Sequence, residues 1–279
     1  MTEYAISYGK AEVPVYRRGA AGRDNALLAA HVSVQVLGDN FLPAYTEGDN
    51  SMVVATDSMK NLILRETGSW TGATLESLLH HLGGRLLADY AQMAAVRVSA
   101  EEIRFDPAGP RGTLHARTPG DATTALLELA RDGDDVAIAD LRTARRGIEL
   151  LKLTGSAFTA FVRDDYTTLP ERRDRPLWVG IDVAWRYRDP QDALGGGAPG
   201  TYVAGPQVRG ICAAVFEDLV SESIQHLVHA MGARLLELLP GLAEVSFEAR
   251  NLTRDPVVEG VVDTDPFPAY GTITLTMRR

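Results

Sequence analysis

Residues 50–61, which read NSMVVATDSMKN, form the stretch from which the fold of this chain can be worked out. The apolar, β-branched segment 52–55 is typical of a short strand, and residues 58–65 favour a helix. Thr56 and Asp57 stand at the junction. Either side chain could cap the helix, because its oxygen can accept a hydrogen bond from the first helical N–H groups. Taken alone, the stretch predicts a capped turn from strand to helix.

Outward from this turn, hydrophobic periodicity predicts the same order of elements in each half of the chain: strands, then helices, then strands. Predicted strands lie at 4–17, 31–37, 95–105, 126–129, 148–153, 178–187, 244–250 and 272–277, and predicted helices at 58–65, 75–90 and, as a pair, within 208–239. This repetition indicates two copies of one ββααββ unit, at 1–135 and 136–279. By composition, the glycine-rich stretch 189–200 is expected to be a flexible surface loop.

The bulk composition limits the partners that the chain is expected to have. A net charge of −9 over 279 residues, without a cluster of Lys and Arg, argues against a nucleic-acid-binding protein. Neither a membrane-spanning run nor a signal-peptide pattern is present, so no membrane partner is expected. The single cysteine, Cys212, lies in an apolar run typical of a core. Its solitary occurrence excludes an internal disulfide and fits a cytoplasmic location.

Four stretches resemble the urate oxidase family. Residues 50–61 are similar to its NxVVATDxxKN signature, and Tyr8-Gly9-Lys10 resembles its YGKxxV opening. The longest match, 153–175, is similar in order and spacing to the family's STGSxFxGFxxDxYTTLxExxDR pattern. Ile224-Gln225 resembles the family's Val-Gln element, and the spacing from there places Asn251 at the family's catalytic asparagine.

The resemblance implies an α+β fold of the tandem tunnelling type (T-fold). Two ββααββ units, each with an antiparallel sheet and helices on one face, would assemble into an oligomeric tunnel-like barrel. A homotetramer is expected, with the active sites at subunit interfaces. One subunit would then supply Lys10, Thr56 and Asp57, and its neighbour would supply largely Phe158, Leu169, Arg175, Ile224, Gln225 and Asn251.

The resemblance also implies the reaction, which is oxidation of urate by dioxygen without a flavin, haem or metal cofactor. The products would be 5-hydroxyisourate and hydrogen peroxide. The planar guanidinium of Arg175 and the amide of Gln225 suit the carbonyl and ring-nitrogen edge of a flat, anionic purine. Phe158 would stack on the ring, Leu169 and Ile224 would bound the pocket, and backbone groups of Asp57 and Ile224 would bind the remaining polar edge.

A second set of residues is implied in the chemistry itself. An ammonium group in a closed pocket loses hydration, which favours its neutral form and makes it a base. Lys10 beside the Thr56 hydroxyl would therefore form a proton-transfer couple. Thr56 and Asn251 would hold the oxygen species above the ring, so dioxygen is expected as a co-substrate.

One departure from the family pattern leaves the substrate open. Two residues after the catalytic asparagine the family has a histidine, whereas this chain has Thr253, whose hydroxyl does not titrate near neutral pH. Two alternatives follow: an oxidase of another purine-like or pteridine-like heterocycle, and a heterocycle-binding protein without turnover. The histidine pair His226 and His229 lacks a carboxylate or cysteine at zinc-ligand spacing, so no metal site is predicted.

Overall fold

The computed structural model of the chain describes residues 3–19, 26–133, 135–197, 200–254, 256–258 and 260–279. Their contacts divide the chain into two compact units, Met1–Thr143 with Asp189–Tyr202, and Ala144–Arg188 with Val203–Arg279. Among the described residues, no helix is long and apolar enough to span a membrane. The predicted division of the sequence at residue 135 into two copies of one unit stays a prediction.

The elements follow one another in a fixed chain order. They are β1 (Ser7–Arg18), β2 (Leu27–Leu37), a 3-10 turn (Asp39–Phe41), α1 (Leu42–Thr46), α2 (Thr56–Ser69), α3 (Leu75–Asp89), β3 (Ala95–Glu102), β4 (Phe105–Pro107), β5 (His115–Arg117), β6 (Ala122–Asp132), β7 (Asp135–Lys152), β8 (Leu177–Tyr187), α4 (Pro190–Leu194), α5 (Gly205–Asp218), α6 (Ile224–Leu238), β9 (Leu242–Asn251), β10 (Pro256–Val258), β11 (Val262–Asp263) and β12 (Gly271–Arg278). The predicted order of strands, helices and strands in each half is therefore confirmed.

The first unit is built on an antiparallel sheet in the order β1, β2, β3, β6. The sequence of β2 alternates, so Val32, Val34 and Val36 are buried on one face while polar side chains occupy the other. Helix α2 packs against β1, and α3 packs against β3 and β6. Leucines at helical spacing along α3 are buried, including Leu78 and Leu82. Apolar periodicity thus places the core between this sheet and its helices.

The second unit repeats this plan with β8, β9 and β12, which pair antiparallel and follow β7 in the sheet order. Helix α6 packs against β9 and β12, and α5 packs against α6. Cys212 in α5 is fully buried, as the sequence predicts. Burial raises the pKa of its thiol to about 12, so the thiolate is disfavoured in the folded protein.

Three local predictions are wrong, each for a physical reason. Strand β2 begins at Leu27 and β7 extends over 18 residues, both longer than predicted, because pairing with neighbouring strands extends them beyond the segments of clear alternation. The stretch 189–200 is not wholly a loop. It contains α4, which is capped by the Asp189 carboxylate accepting from Gln191 N–H and ends at Gly195 with φ +80°. Residues 198 and 199 lie outside the described residues.

Candidate active site

Lys10 lies at a bulge in β1. Lys10 is opposite Val34 and Val13 is opposite Val32, so β1 carries one extra residue in between. The residue before the bulge, Gly9, has to be a glycine because the Val34 backbone lies close to it. A Cβ on Gly9 would lie 1.8 Å from the Val34 carbonyl oxygen. The bulge sets the direction of the Lys10 side chain relative to the rest of the strand.

Tyr8 connects the Lys10 segment to the beginning of α2. Its hydroxyl oxygen accepts a hydrogen bond of 3.1 Å from the backbone N–H of Val54, two residues before Thr56. Burial raises the pKa of Tyr8, so the phenol stays protonated. Hydrogen bonding and charge from Lys60 chiefly lower the pKa of Asp57, and the charge of Lys10 contributes to the same effect. The structure therefore brings Lys10, Thr56 and Asp57 into one region of the first unit.

The predicted capping role of Thr56 or Asp57 is wrong. The residue at the N-cap of α2 is Ala55, and no side chain caps the helix there. The Asp57 carboxylate instead accepts from the Lys60 ammonium and, at 3.0 Å, from the Asn61 amide. Thr56 and Asp57 are exposed in the first turn of α2, where backbone N–H groups point out of the helix and favour negative charge.

The segment 153–175 folds back on itself and places Phe158 beside Arg175. Phe158 and Arg172 exchange backbone hydrogen bonds of 2.8 and 3.0 Å, and Arg175 N–H donates to the Ser156 carbonyl at 2.9 Å. Asp174 closes the base of the fold, because its carboxylate accepts from Gly155 N–H at 2.6 Å. As a result the guanidinium carbon of Arg175 lies 5.6 Å from the centre of the Phe158 ring.

Ser221 joins this segment to the beginning of α6. Its carbonyl accepts from Ala157 N–H at 2.7 Å, and its own N–H donates to the Gly155 carbonyl at 3.2 Å. Helix α6 begins three residues later, so Ile224 and Gln225 occupy its first turn. Ile224 is buried and Gln225 is exposed. The second unit thus gathers the predicted Phe, Arg, Ile and Gln positions on connected backbone.

Arg175 carries the most informative polar atom of this region. The side chain is half-buried, and its Nε is buried without a hydrogen-bond partner among the described residues. Burial, and then the charge of Arg172, lower the pKa of Arg175 without removing its proton at neutral pH. A buried donor without an acceptor is costly, and the role of Arg175 as a substrate-binding residue stays a prediction.

Asn251 ends β9, where it is opposite Val179 on one side and Gly271 on the other. Thr253 is exposed. Its N–H donates to the Asn251 carbonyl at 3.1 Å, and its own carbonyl accepts from Phe267 N–H at 3.1 Å. Backbone bonds therefore hold the segment from Asn251 to Thr253 on both sides. Successive residues of a strand face opposite sides of the sheet, so the Arg250 side chain points to the face opposite to that of Asn251.

Sequence reasoning missed three residues that position others: Tyr8, Phe161 and Asp174. All three lie inside the matched stretches, so the pattern contained them, but only their contacts show what they hold in place. Within the described part of the chain, no group of three or more His, Cys, Asp or Glu side chains could hold a metal ion.

A family model described as Uricase matches residues 141–265. A uricase from Haloferax volcanii is 44% identical over 272 residues, an alignment that covers 89% of this chain and 88% of that protein. The chain belongs to the uricase family. The chain is also similar to the uric acid degradation bifunctional protein PucL of Bacillus subtilis, with 36% sequence identity. That alignment covers 98% of this uricase-family chain but only 61% of PucL.

Solved structures agree with this assignment. The crystal structure of a uricase from Bacillus fastidious matches with a TM-score of 0.93 and 37% sequence identity, covering 99% of this chain and 94% of that one. The predicted membership of the urate oxidase family is confirmed, and so is the α+β tandem T-fold with its antiparallel strands. The assembly into a tunnel stays a prediction.

Proposed function

We propose that this uricase-family protein is a urate oxidase. It converts urate, dioxygen and water into 5-hydroxyisourate and hydrogen peroxide, and it does so without a cofactor. The observation that carries the proposal is the half-buried Arg175 guanidinium, whose buried Nε has no partner among the described residues and which lies beside the Phe158 ring. An aromatic ring next to a planar cation with one unpaired, buried N–H suits a flat, anionic heterocycle.

In this proposal the second unit supplies the substrate-binding residues. Arg175 and Gln225 bind the carbonyl and ring-nitrogen edge, Phe158 stacks on the ring, and Leu169 and Ile224 bound the pocket. The connected backbone around Ser221 supports the assignment, because it links the segment of Phe158 to the first turn of α6. A rigid frame of this kind holds a substrate in one orientation, which lowers the entropic cost of reaction.

The first unit of a neighbouring subunit supplies the proton-transfer couple in the same proposal. Lys10 takes a proton through the Thr56 hydroxyl, and the electron-rich urate dianion passes an electron to dioxygen directly. The backbone of Asp57 binds the polar edge of the ring, while Thr56 and Asn251 hold the oxygen species. The Tyr8 to Val54 hydrogen bond supports this assignment, because it ties the strand of Lys10 to the segment before Thr56.

Thr253 lies where the family pattern has a histidine, and we propose that its hydroxyl passes protons through water. A hydroxyl both donates and accepts hydrogen bonds, so it can conduct a proton although it does not store one at neutral pH. The relatives are named for urate, which favours urate over another heterocycle. A binding protein without turnover would need Arg175 and Phe158 but neither Lys10 nor Thr56.

We also propose a cytoplasmic homotetramer with active sites at subunit interfaces. Two observations support an assembly. Strands β1 and β12 stand at the ends of the strand order, so each has one backbone edge available to another chain. No residue of β12 is buried in the single chain. Light scattering on the purified protein measures the native mass, and a monomeric mass with full activity would contradict the interface site.

The decisive experiment is oxygen uptake by the purified, metal-stripped protein when urate is added. Hydrogen peroxide and the loss of urate absorbance are followed in the same sample. Uptake matched by peroxide would establish a cofactor-free urate oxidase. Tight urate binding without uptake would favour the binding protein, and neither binding nor uptake would favour a different heterocycle.

A pair of variants tests the assignment of roles. Thr56→Ala and Lys10→Met should lower kcat far more than they raise KM, because both side chains are assigned to chemistry and not to binding. Ser58→Ala is the matched control, since it removes an exposed hydroxyl from the same helix. Full activity in the Lys10→Met variant would remove the proposed mechanism.

A further inference from the structure

The loop from Phe158 to Arg172 has an outgoing arm and a returning arm. Each arm carries one predicted substrate contact, Phe158 on the first and Leu169 on the second. The arms meet at the Phe158 and Arg172 backbone pair and reverse at a turn over residues 164–167. Asp164 closes this turn, because its carboxylate accepts from Tyr166 N–H at 3.0 Å and from the Thr167 hydroxyl at 2.8 Å. Leu169 follows on the returning arm, so its position relative to Phe158 depends on what joins the arms.

The outgoing arm holds two stacked aromatic rings. The rings of Phe158 and Phe161 are stacked, with centroids 4.9 Å apart and an angle of 12° between their planes. The guanidinium carbon of Arg175 lies 5.6 Å from the Phe158 ring centre, and that of Arg163 lies 5.6 Å from the Phe161 ring centre. Each ring of the stacked pair thus has a guanidinium nearby, a contact that the negative ring faces favour.

Arg163 also reaches the returning arm. Its Nη1 donates a hydrogen bond of 3.3 Å to the Leu169 carbonyl oxygen. The same guanidinium therefore contacts the Phe161 ring, which supports Phe158, and the backbone of Leu169. The sequence pattern of the family leaves position 163 unspecified, so the residue matters through these contacts and not through the motif.

We propose that Arg163 is a positioning residue that holds Leu169 at a fixed place relative to the Phe158 stack. The inference rests on the proposed function, because Phe158 and Leu169 are assigned there to opposite sides of the substrate pocket. With Arg163 in place the two arms present a preformed slot for a flat ring. Without it the arms stay joined at the Phe158 and Arg172 pair, through Ala160 N–H donating to the Glu171 carboxylate at 3.0 Å, and at the turn over residues 164–167. The Leu169 carbonyl loses its contact with Arg163, so binding has to order Leu169.

The kinetic test compares Arg163→Ala with two matched variants. Arg163→Ala should raise the KM for urate by about tenfold, since it removes one aromatic contact and one hydrogen bond. Its kcat should stay within about twofold of the native value, because a slot that binds ground state and transition state equally affects KM alone. Arg163→Lys keeps the charge and a donor, so it should recover most of the affinity.

Arg173→Ala is the control for charge. Arg173 is an exposed arginine in the same segment, so its removal changes the local charge equally without touching the loop. Its KM should stay within about twofold of the native value. A KM for Arg163→Ala equal to that of Arg173→Ala would overturn the proposal, and so would an Arg163→Lys variant no better than Arg163→Ala.

A second readout needs no substrate and separates this inference from the proposed function. Amide hydrogen exchange over residues 161–170 of the ligand-free protein should become faster in Arg163→Ala and remain unchanged in Arg173→Ala. If exchange changes as expected while the native protein oxidises no urate, the positioning role of Arg163 stands and the proposed function fails. If exchange is unchanged in Arg163→Ala, the positioning role of Arg163 is overturned, whatever the activity of the native protein.

Discussion

Replacing Arg175 by methionine should separate ligand binding from stability. Methionine has a long, flexible, apolar side chain that can occupy much of the same space. In the ligand-free protein the buried Nε has no partner among the described residues, and an unsatisfied buried donor costs about 1–3 kcal/mol. The contact of the guanidinium with the Phe158 ring contributes about 0.5–2 kcal/mol in the opposite direction.

These two effects nearly cancel, so Arg175→Met should lower the free energy of unfolding by no more than about 1 kcal/mol. Binding should respond quite differently. Two charge-assisted hydrogen bonds to the substrate are lost, each contributing about 1.5–3 kcal/mol, which corresponds to a loss of affinity on the order of 100-fold or more.

Urea unfolding measures the first quantity, and calorimetric titration with urate under anaerobic conditions measures the second. Arg173→Met is the matched control, because it removes an exposed arginine two residues away. The reasoning is refuted if Arg175→Met is destabilised by several kcal/mol while urate affinity is retained, since Arg175 would then be a structural cation and not a ligand donor.

Three further outcomes are expected. Tyr8→Phe leaves the N–H of Val54 without its acceptor and should lower the free energy of unfolding by about 1–2 kcal/mol, which urea unfolding measures. It should also lower kcat, which steady-state kinetics measure. Thr253→His should raise kcat with urate if proton transfer limits the rate, and an unchanged kcat would show that it does not. Hydrogen bonds from Thr154, Gly155 and nearby backbone lower the pKa of Asp174. Because its folded-state pKa is depressed, the closure of the loop base is fully present above the ordinary aspartate range and is lost as pH falls through the folded pKa. Protection of the amides of residues 154–158 from hydrogen exchange, taken relative to the intrinsic rate at each pH, should therefore be kept at neutral pH and fall at acidic pH. Protection that is equally low at both would contradict this.

Short-range patterns predicted most of the architecture. Helix α3 repeats leucine at three- and four-residue spacing, and β2 alternates buried valines with polar residues. These periodicities record which face of an element is buried, which is the main term in its stability. The same patterns failed in β7, where charged residues interrupt the apolar positions of an 18-residue strand, and at α4, a short capped helix that is followed by glycines. There the neighbouring strands and a single cap decide the structure.

The sequence by itself determined the family and the order of the elements, and it proposed the residues of the candidate site. It did so because motif spacing and hydrophobic periodicity are properties of the linear chain. Only the tertiary structure decided that Ala55 and not Thr56 stands at the N-cap of α2, that the Arg175 Nε is buried without a partner among the described residues, and that Arg163 reaches the Leu169 carbonyl. Burial and hydrogen bonding depend on distances between groups in the folded chain, and a sequence pattern holds no record of those distances.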